Sequence, residues 1–171
     1  DGNFSVARVT RHSQETVGKF ERHNERKNES YGNMNVDLDR TPMNVSYKSC
    51  GELTYNEYLK KLMDEGKVSM RGLKKDAKVY DEMIFDVNTY YFEQHGGYEY
   101  ARRFYEEAFH FAEKEYGADN IISAVMHADE INLWLSDTLN KPVYHYHLHI
   151  IALPVVEKQV LWTKRCKDKE L

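Results

Sequence analysis

Val143-Tyr144-His145-Tyr146-His147-Leu148-His149-Ile150-Ile151-Ala152-Leu153 is a strand by composition, with β-branched and aromatic residues interleaved with imidazoles. A period of two sets His145, His147 and His149 on one face and Tyr146, Leu148 and Ile150 on the other. Alternate residues lie about 6.6 Å apart at ~3.3 Å rise, so two neighbouring imidazoles reach one ion and three in a row do not. A third ligand must come from elsewhere, and His127 is the candidate. It closes a second apolar run, Ile121-Ile122-Ser123-Ala124-Val125-Met126, and is followed by Ala128-Asp129-Glu130. If the two strands pair antiparallel, His127 falls near His147 and His149. A buried histidine on a strand ordinarily just satisfies a backbone carbonyl. Four of the chain's eight histidines in two such segments, one leading into two acids, point instead to a metal site.

Working outward, Phe4 to Val9 reads as a first strand and about Glu15 to Lys27 as a helix with Val17, Phe20 and Asn24 on one side. Arg40-Thr41-Pro42 interrupts, and Met43 to Tyr47 suggests a second strand. Thr54 to Glu65 predicts a helix, with Thr54 as its cap and Glu57 three residues on. Lys78 to Val87 gives a third strand. Gly96-Gly97 introduces the clearest helix, whose apolar stripe of Ala101, Phe104, Tyr105, Ala108, Phe111 and Ala112 is expected to be core. Residues 121 to 128 and 143 to 153 are the fourth and fifth strands, with a short helix at Ile131 to Asn140 between them. The expected fold class is therefore α/β, an α+β sandwich built on a central sheet flanked by helices. No repeat and no phosphate-loop motif occurs.

At 171 residues and 41% hydrophobic content, the chain suffices for one domain. Its longest apolar stretch, Ile150 to Val156, contains Pro154 and is far short of the ~20 residues of a membrane-spanning helix. No export signal is read in the opening residues, and the expected location is the cytoplasm. Cys50 and Cys166 lack metal-ligand spacing and are expected as free thiols. Asp168-Lys169-Glu170-Leu171 superficially resembles a retrieval tail but lacks its residue order, and is read as a cut end. A net charge of −4 argues mildly against nucleic acid, yet residues 60 to 78 carry seven Lys or Arg against three acids, while residues 79 to 130 carry three against twelve. A local basic surface can hold a phosphate backbone on an otherwise acidic protein.

One further block matters: on the first helix, His23 and Arg26 of His23-Asn24-Glu25-Arg26 share a face, so imidazole and guanidinium could address one phosphate. With Val6-Ala7-Arg8, Lys67-Val68-Ser69, Arg71, Lys75-Asp76-Ala77, His127 with Asp129-Glu130, and His147-Leu148-His149 with Pro154 beyond, the chain resembles the Mob/Pre plasmid mobilization relaxases, a branch of the HUH endonucleases. The resemblance runs from about residue 5 to 155. It implies a central antiparallel five-stranded sheet and a single catalytic domain over 1–171, the amino-terminal part of a longer protein. It implies nicking and rejoining of one strand at an origin of transfer through a covalent 5′-phosphohistidine. His23 would be the nucleophile, Glu130 would accept a hydrogen bond from it, and His127, His147 and His149 would hold a divalent ion, Mn²⁺ or Mg²⁺. Arg26, Arg71, Lys74 and Lys75 would grip the DNA, a single strand or hairpin of the origin. Conjugation-machinery partners would bind through the missing carboxy-terminal region of this bacterial protein. The chain departs from the family pattern between Glu130 and His147, where residues 131 to 146 intervene and Pro142 stands five residues upstream. His145 is expected to support a ligand or face DNA.

Two rival readings follow. His145 to Ile151 also fits the signature of histidine-triad nucleotide hydrolases and transferases, which use a histidine nucleophile without metal, and this would leave the His23 and His127 blocks without a role. In a non-catalytic DNA-hairpin-binding module the histidines would be structural.

Overall fold

The computed structural model describes residues 5–31 and 35–156; Cys166 and the 168–171 tail lie outside them. The elements are β1 (Ser5–Ser13), α1 (Val17–Asn24), a 3-10 turn (Leu38–Met43), β2 (Val45–Lys48), α2 (Tyr55–Asp64), β3 (Lys78–Val87), α3 (Thr89–His95), α4 (Tyr98–Tyr116), β4 (Ile121–Ile131), α5 (Leu133–Leu139) and β5 (Tyr144–Ala152). The five strands form one sheet in the order β1-β3-β5-β4-β2, antiparallel throughout. All five expected strands exist, and β4 and β5 pair as the alternation requires.

The pleat divides the core in two. Met83, Val87, Ala124, Met126, Tyr146, Leu148 and Ile150 face Phe92, Ala101, Tyr105, Phe109 and Ala112 of α3 and α4. On the other face Tyr80, Ile122 and Ile151 pack with Val17 of α1 and with Tyr55, Leu59 and Leu62 of α2. Helix α2 begins where expected, Thr54 Oγ1 accepting from Glu57 N at 3.2 Å and donating to its carboxylate at 3.1 Å. Neither α1 nor α2 covers the far end of its face, toward Asp86 and His145, and there the sheet is open.

Strand β1 runs on past Val9 to Ser13 and α1 is confined to Val17–Asn24, and three further expectations change. Helix α3 is absent from the sequence reading. The stripe of α4 is not all core: Ala101, Tyr105 and Ala112 are buried, whereas Phe104 and Phe111 are exposed and line a groove with Phe85, and Phe109 takes their place inside. Strand β4 continues past residue 128 to Ile131, because Asp37 N donates to Asp129 O at 2.7 Å and Ile131 N to Asn35 O at 3.0 Å.

Candidate active site

Register brings the histidines together. His127 is directly opposite His147, and Val125 opposite His149. His127 is fully buried, and its Nε2 donates to the carbonyl of Asn24, at the end of α1, at 2.8 Å. That bond fixes the tautomer and leaves Nδ1 as a bare lone pair, 3.2 Å from His147 Nε2. Two ligands of one cation, with bonds of about 2.0–2.2 Å, stand about 3.0–3.5 Å apart, so this spacing suits a shared ion. Glu130 Oε1 is 3.5 Å from His147 Nε2 and 3.8 Å from His127 Nδ1, completing a group of two imidazoles and a carboxylate.

The His149 ring lies 4.9 Å from that of His127 and 4.8 Å from that of His147. Its Nε2 is buried without a hydrogen-bond partner, as is His23 Nδ1, while its Nδ1 faces the Glu82 carboxylate at 3.5 Å. His23, His127 and His149 form a second group whose ligand atoms lie within 4.8 Å of one another. Buried imidazole nitrogens left without partners are costly, and nitrogen donors beside a carboxylate suit a first-row divalent metal. The residues therefore fit a cation. Burial holds His127 and His147 well below the usual imidazole range, so both are neutral with lone pairs free.

Glu130 reaches this face through a defect in the ladder. On a regular strand residues 127 and 130 would face opposite ways. Between them β4 has a bulge, so that Ala128 and Asp129 together oppose Tyr146 and the register resumes at Glu130–His145. Asp129, 0% exposed, holds the bulge: it accepts from Arg26 Nε at 2.9 Å and Nη2 at 2.7 Å, from Thr41 Oγ1 at 2.9 Å and from Asn44 Nδ2 at 3.0 Å. Asn44 Oδ1 also accepts from Ala128 N at 2.6 Å. Burial pushes the Asp129 carboxyl up, but the Arg26 pairing and the two further donors outweigh it and hold it below the usual range.

Arg26, expected at the DNA backbone, has a side chain only 6% exposed that is paired with Asp129 and, at 2.9 Å, with Glu130 Oε1. Arg26 has φ 53°, a left-handed conformation just past the α1 terminus that turns the guanidinium inward. The expected Glu130–His23 hydrogen bond is also not formed; Glu130 is taken by Arg26 and faces His127 and His147.

His23 sits on the last turn of α1, its ring 5.7 Å from His127 and 5.9 Å from His149. Burial, then Arg26 and His149, hold its pKa down to about 4, leaving a neutral imidazole at neutral pH. The open end of the sheet forms a cleft of roughly 320 Å³ lined by Arg8, His23, Ile84, Asp86, Glu130, His145, His147 and His149.

His145 belongs to neither ligand group, although its ring lies 5.5 Å from that of His147 and borders the cleft. Its Nε2 donates to Asp86 Oδ1 at 2.8 Å, and Thr89 Oγ1 donates to its Nδ1 at 2.6 Å. Two supporting residues have no role in the sequence reading. Glu82 is 2% exposed and accepts from Asn24 Nδ2 at 2.8 Å, with His12 Nε2 at 3.3 Å and His149 Nδ1 at 3.5 Å. Burial would raise its carboxyl; His149, Asn24 and His12 bring it down to about 2. Arg8, matched in sequence but given no role there, is the cation that lines the cleft. Arg71, Lys74 and Lys75 are exposed in the connection between α2 and β3, and none of them lines the cleft.

A sequence family described as "Plasmid recombination enzyme" matches residues 1–171. Plasmid recombination enzymes of Bacillus sp and, as type 2, of Staphylococcus aureus are each 30% identical over 128 residues, covering 75% of this chain and 31% and 30% of their own length. One from Lactiplantibacillus plantarum is 27% identical over 168 residues, 98% of this chain and 43% of its own. The chain thus spans less than half the length of these curated relatives. Among solved structures, the Mn-bound MobM relaxase domain in complex with plasmid pMV158 oriT DNA is similar, with a TM-score of 0.74 and 28% identity over 97% of this chain and 78% of that one. Among the described residues no helix is long and apolar enough to cross a membrane.

Proposed function

The chain belongs to the plasmid recombination enzyme family, and from that premise we propose that it nicks and rejoins one DNA strand at the origin of transfer of a mobile element, with His23 as nucleophile. The observation that carries this reading is the convergence of His23, from α1, on His147, His149 and Glu130 in one open cleft, with the buried His127 sharing a ligand group with each of them. Phosphoryl transfer is largely positioning and charge stabilisation, and it needs the attacking atom and the charge-withdrawing group on the same phosphate.

The neutral imidazole of His23 attacks phosphorus through a ring nitrogen. An N–P bond forms, the bond from phosphorus to the 3′ oxygen breaks, and that oxygen leaves with the electron pair and takes a proton from water. The 5′ phosphate stays on His23, which keeps its other ring proton. Return of the 3′ oxygen reverses the step and reseals the strand. A divalent cation, Mn²⁺ or Mg²⁺, held by His127, His147 and His149 with Glu130 alongside, would withdraw charge from the phosphate oxygens. The MobM complex, with its Mn and its oriT DNA, supports both the ion and the substrate class. Arg8 is placed to meet the strand at the cleft wall, while Arg71, Lys74 and Lys75 supply a separate backbone contact. Initiation of conjugative mobilization and contacts with conjugation machinery belong to a longer protein than this chain.

The histidine-triad reading gives His23 and His127 no task, whereas here both join the cluster. The test is incubation with a labelled single-stranded oligonucleotide library and Mn²⁺. A covalent protein–DNA product is expected, lost in EDTA and lost in His23→Ala while binding persists. A product that forms equally in EDTA, or one that survives His23→Ala, would overturn the assignment.

A further inference from the structure

Of the segment that departs from the family pattern, residues 131 to 146, the part that precedes β5 is neither disordered-looking in sequence nor packed away in the fold. It forms α5, a rigid display. Asn132 caps the helix by accepting from Leu135 N at 3.0 Å, Leu135 is buried, Ser136 Oγ accepts from Val143 N at 2.9 Å, and Lys141 pairs with Glu93 at 3.0 Å. What this scaffold presents outward is apolar: Trp134 is 74% exposed and Leu133 beside it 53% exposed.

Chain connectivity bounds how far this pair can lie from the cleft. Helix α5 joins the two strands that carry the histidines, and Trp134 follows Glu130, a cleft residue, by four positions, so their Cα atoms are no more than about 14 Å apart. That is about four stacked nucleotides at ~3.4 Å rise. A hydrogen-bond relay also ties α5 to the cleft wall. Asn132 Nδ2 donates to Thr89 Oγ1 at 3.4 Å, Thr89 donates to His145 Nδ1, and His145 donates to Asp86.

Resting on the DNA-nicking reading above, we propose that α5 is a base-stacking arm at the mouth of the cleft, where Trp134, flanked by Leu133, receives an unpaired base of the strand whose phosphate lies at His23. The chemistry selects a base over the backbone. Within α5 and its flanks Asp137 opposes Lys141, so the arm has no cationic surplus to hold phosphate, while an exposed indole offers a π-face that any nucleobase can cover. The arm thus recognises single-stranded or unpaired DNA and sets which nucleotide near the scissile phosphate is held.

The experiment uses this chain with Trp162→Phe, so that Trp134 is the only tryptophan, and two probes: a degenerate single-stranded 22-mer and an abasic 22-mer of the same backbone. The degenerate strand is expected to quench Trp134 emission and the abasic strand not to. Trp134→Ala is expected to weaken binding of the degenerate strand about tenfold, the loss of roughly one base stack, to leave abasic binding unchanged, and to be largely rescued by Trp134→Phe. Equal affinity of Trp134→Ala and parent for the degenerate strand overturns the proposal, as does an equal loss on both probes. So does a change in self-association with unaltered DNA binding, which would make α5 a protein contact. If the parent binds neither probe, the nucleic-acid reading itself fails, a result distinct from all of these.

Discussion

Replacing Arg26 by Met separates a structural guanidinium from a DNA-binding one. The substitution removes two hydrogen bonds from Asp129, which is 0% exposed, and one from Glu130. Breaking a buried ion pair by deleting one partner costs about 3–5 kcal/mol, mainly because the stranded charge stays buried. The lower end applies here, since Thr41 and Asn44 still donate to Asp129. About 3 kcal/mol in a domain of this size corresponds to a fall in Tm of roughly 6–12 °C. Urea unfolding of Arg26→Met, Asp129→Asn and the double variant gives the coupling directly, and the double variant is expected to recover part of the loss. The second readout is the salt dependence of DNA binding, whose slope changes by about 0.7–0.9 for each phosphate contact removed. An unchanged Tm together with a slope reduced by one contact would refute this account and return Arg26 to the DNA backbone.

Glu82→Gln removes the carboxylate beside His149; Mn²⁺ affinity followed by EPR is expected to drop about 10–100-fold with the fold intact, and unchanged affinity would exclude a positioning role. The same residue predicts an acid limb. Its folded pKa of about 2 lies below the ordinary value of 4.5, so its stabilisation is fully present above about pH 4.5 and is lost as pH falls toward 2. Glu82→Gln should therefore flatten the stability profile over that interval in urea titrations, and an unaltered profile would show the carboxyl to be unshifted. Arg8→Ala should weaken single-strand binding and reduce the salt slope by about 0.7 without moving Tm, whereas an unchanged slope removes Arg8 from the interface. Charge removal at Lys74 and Lys75 together should lower the slope by about 1.4 if both touch phosphate, and by nothing if they are only solvated.

What could be read from the sequence was what local periodicity encodes. Alternation in Tyr144 to Ala152 gives the histidine face, the apolar run before His127 gives its neighbour, and Thr54 with Glu57 marks the start of α2. The misses are long-range or brief. Arg26 and Asp129 lie 103 residues apart, and an Arg beside a His on a polar helix looks the same whether it turns in or out. Glu82 and Asp86 sit in a strand whose alternation signals burial but not the imidazole each would meet. Helix α3 spans only Thr89–His95, and its Tyr90-Tyr91-Phe92 run favours strand by composition; Asn88 capping Tyr90 N and Gly96 just past its end are its local helix signals.

The two-for-one step in β4 makes the active face depend on how many residues separate His127 from Glu130. Inserting one residue between them, with the two-for-one step kept, would change the parity and swing Glu130 round toward the aromatic layer under α4, a change the fold could survive and the cleft could not; deleting Ala128 would leave Glu130 two residues from His127, on the same face. Lengthening or trimming the α5 excursion leaves the count unaltered, because Ile131–Tyr144 closes the paired register before that excursion begins. Insertions of one residue should therefore be tolerated after Ile131 and lethal to activity between His127 and Glu130.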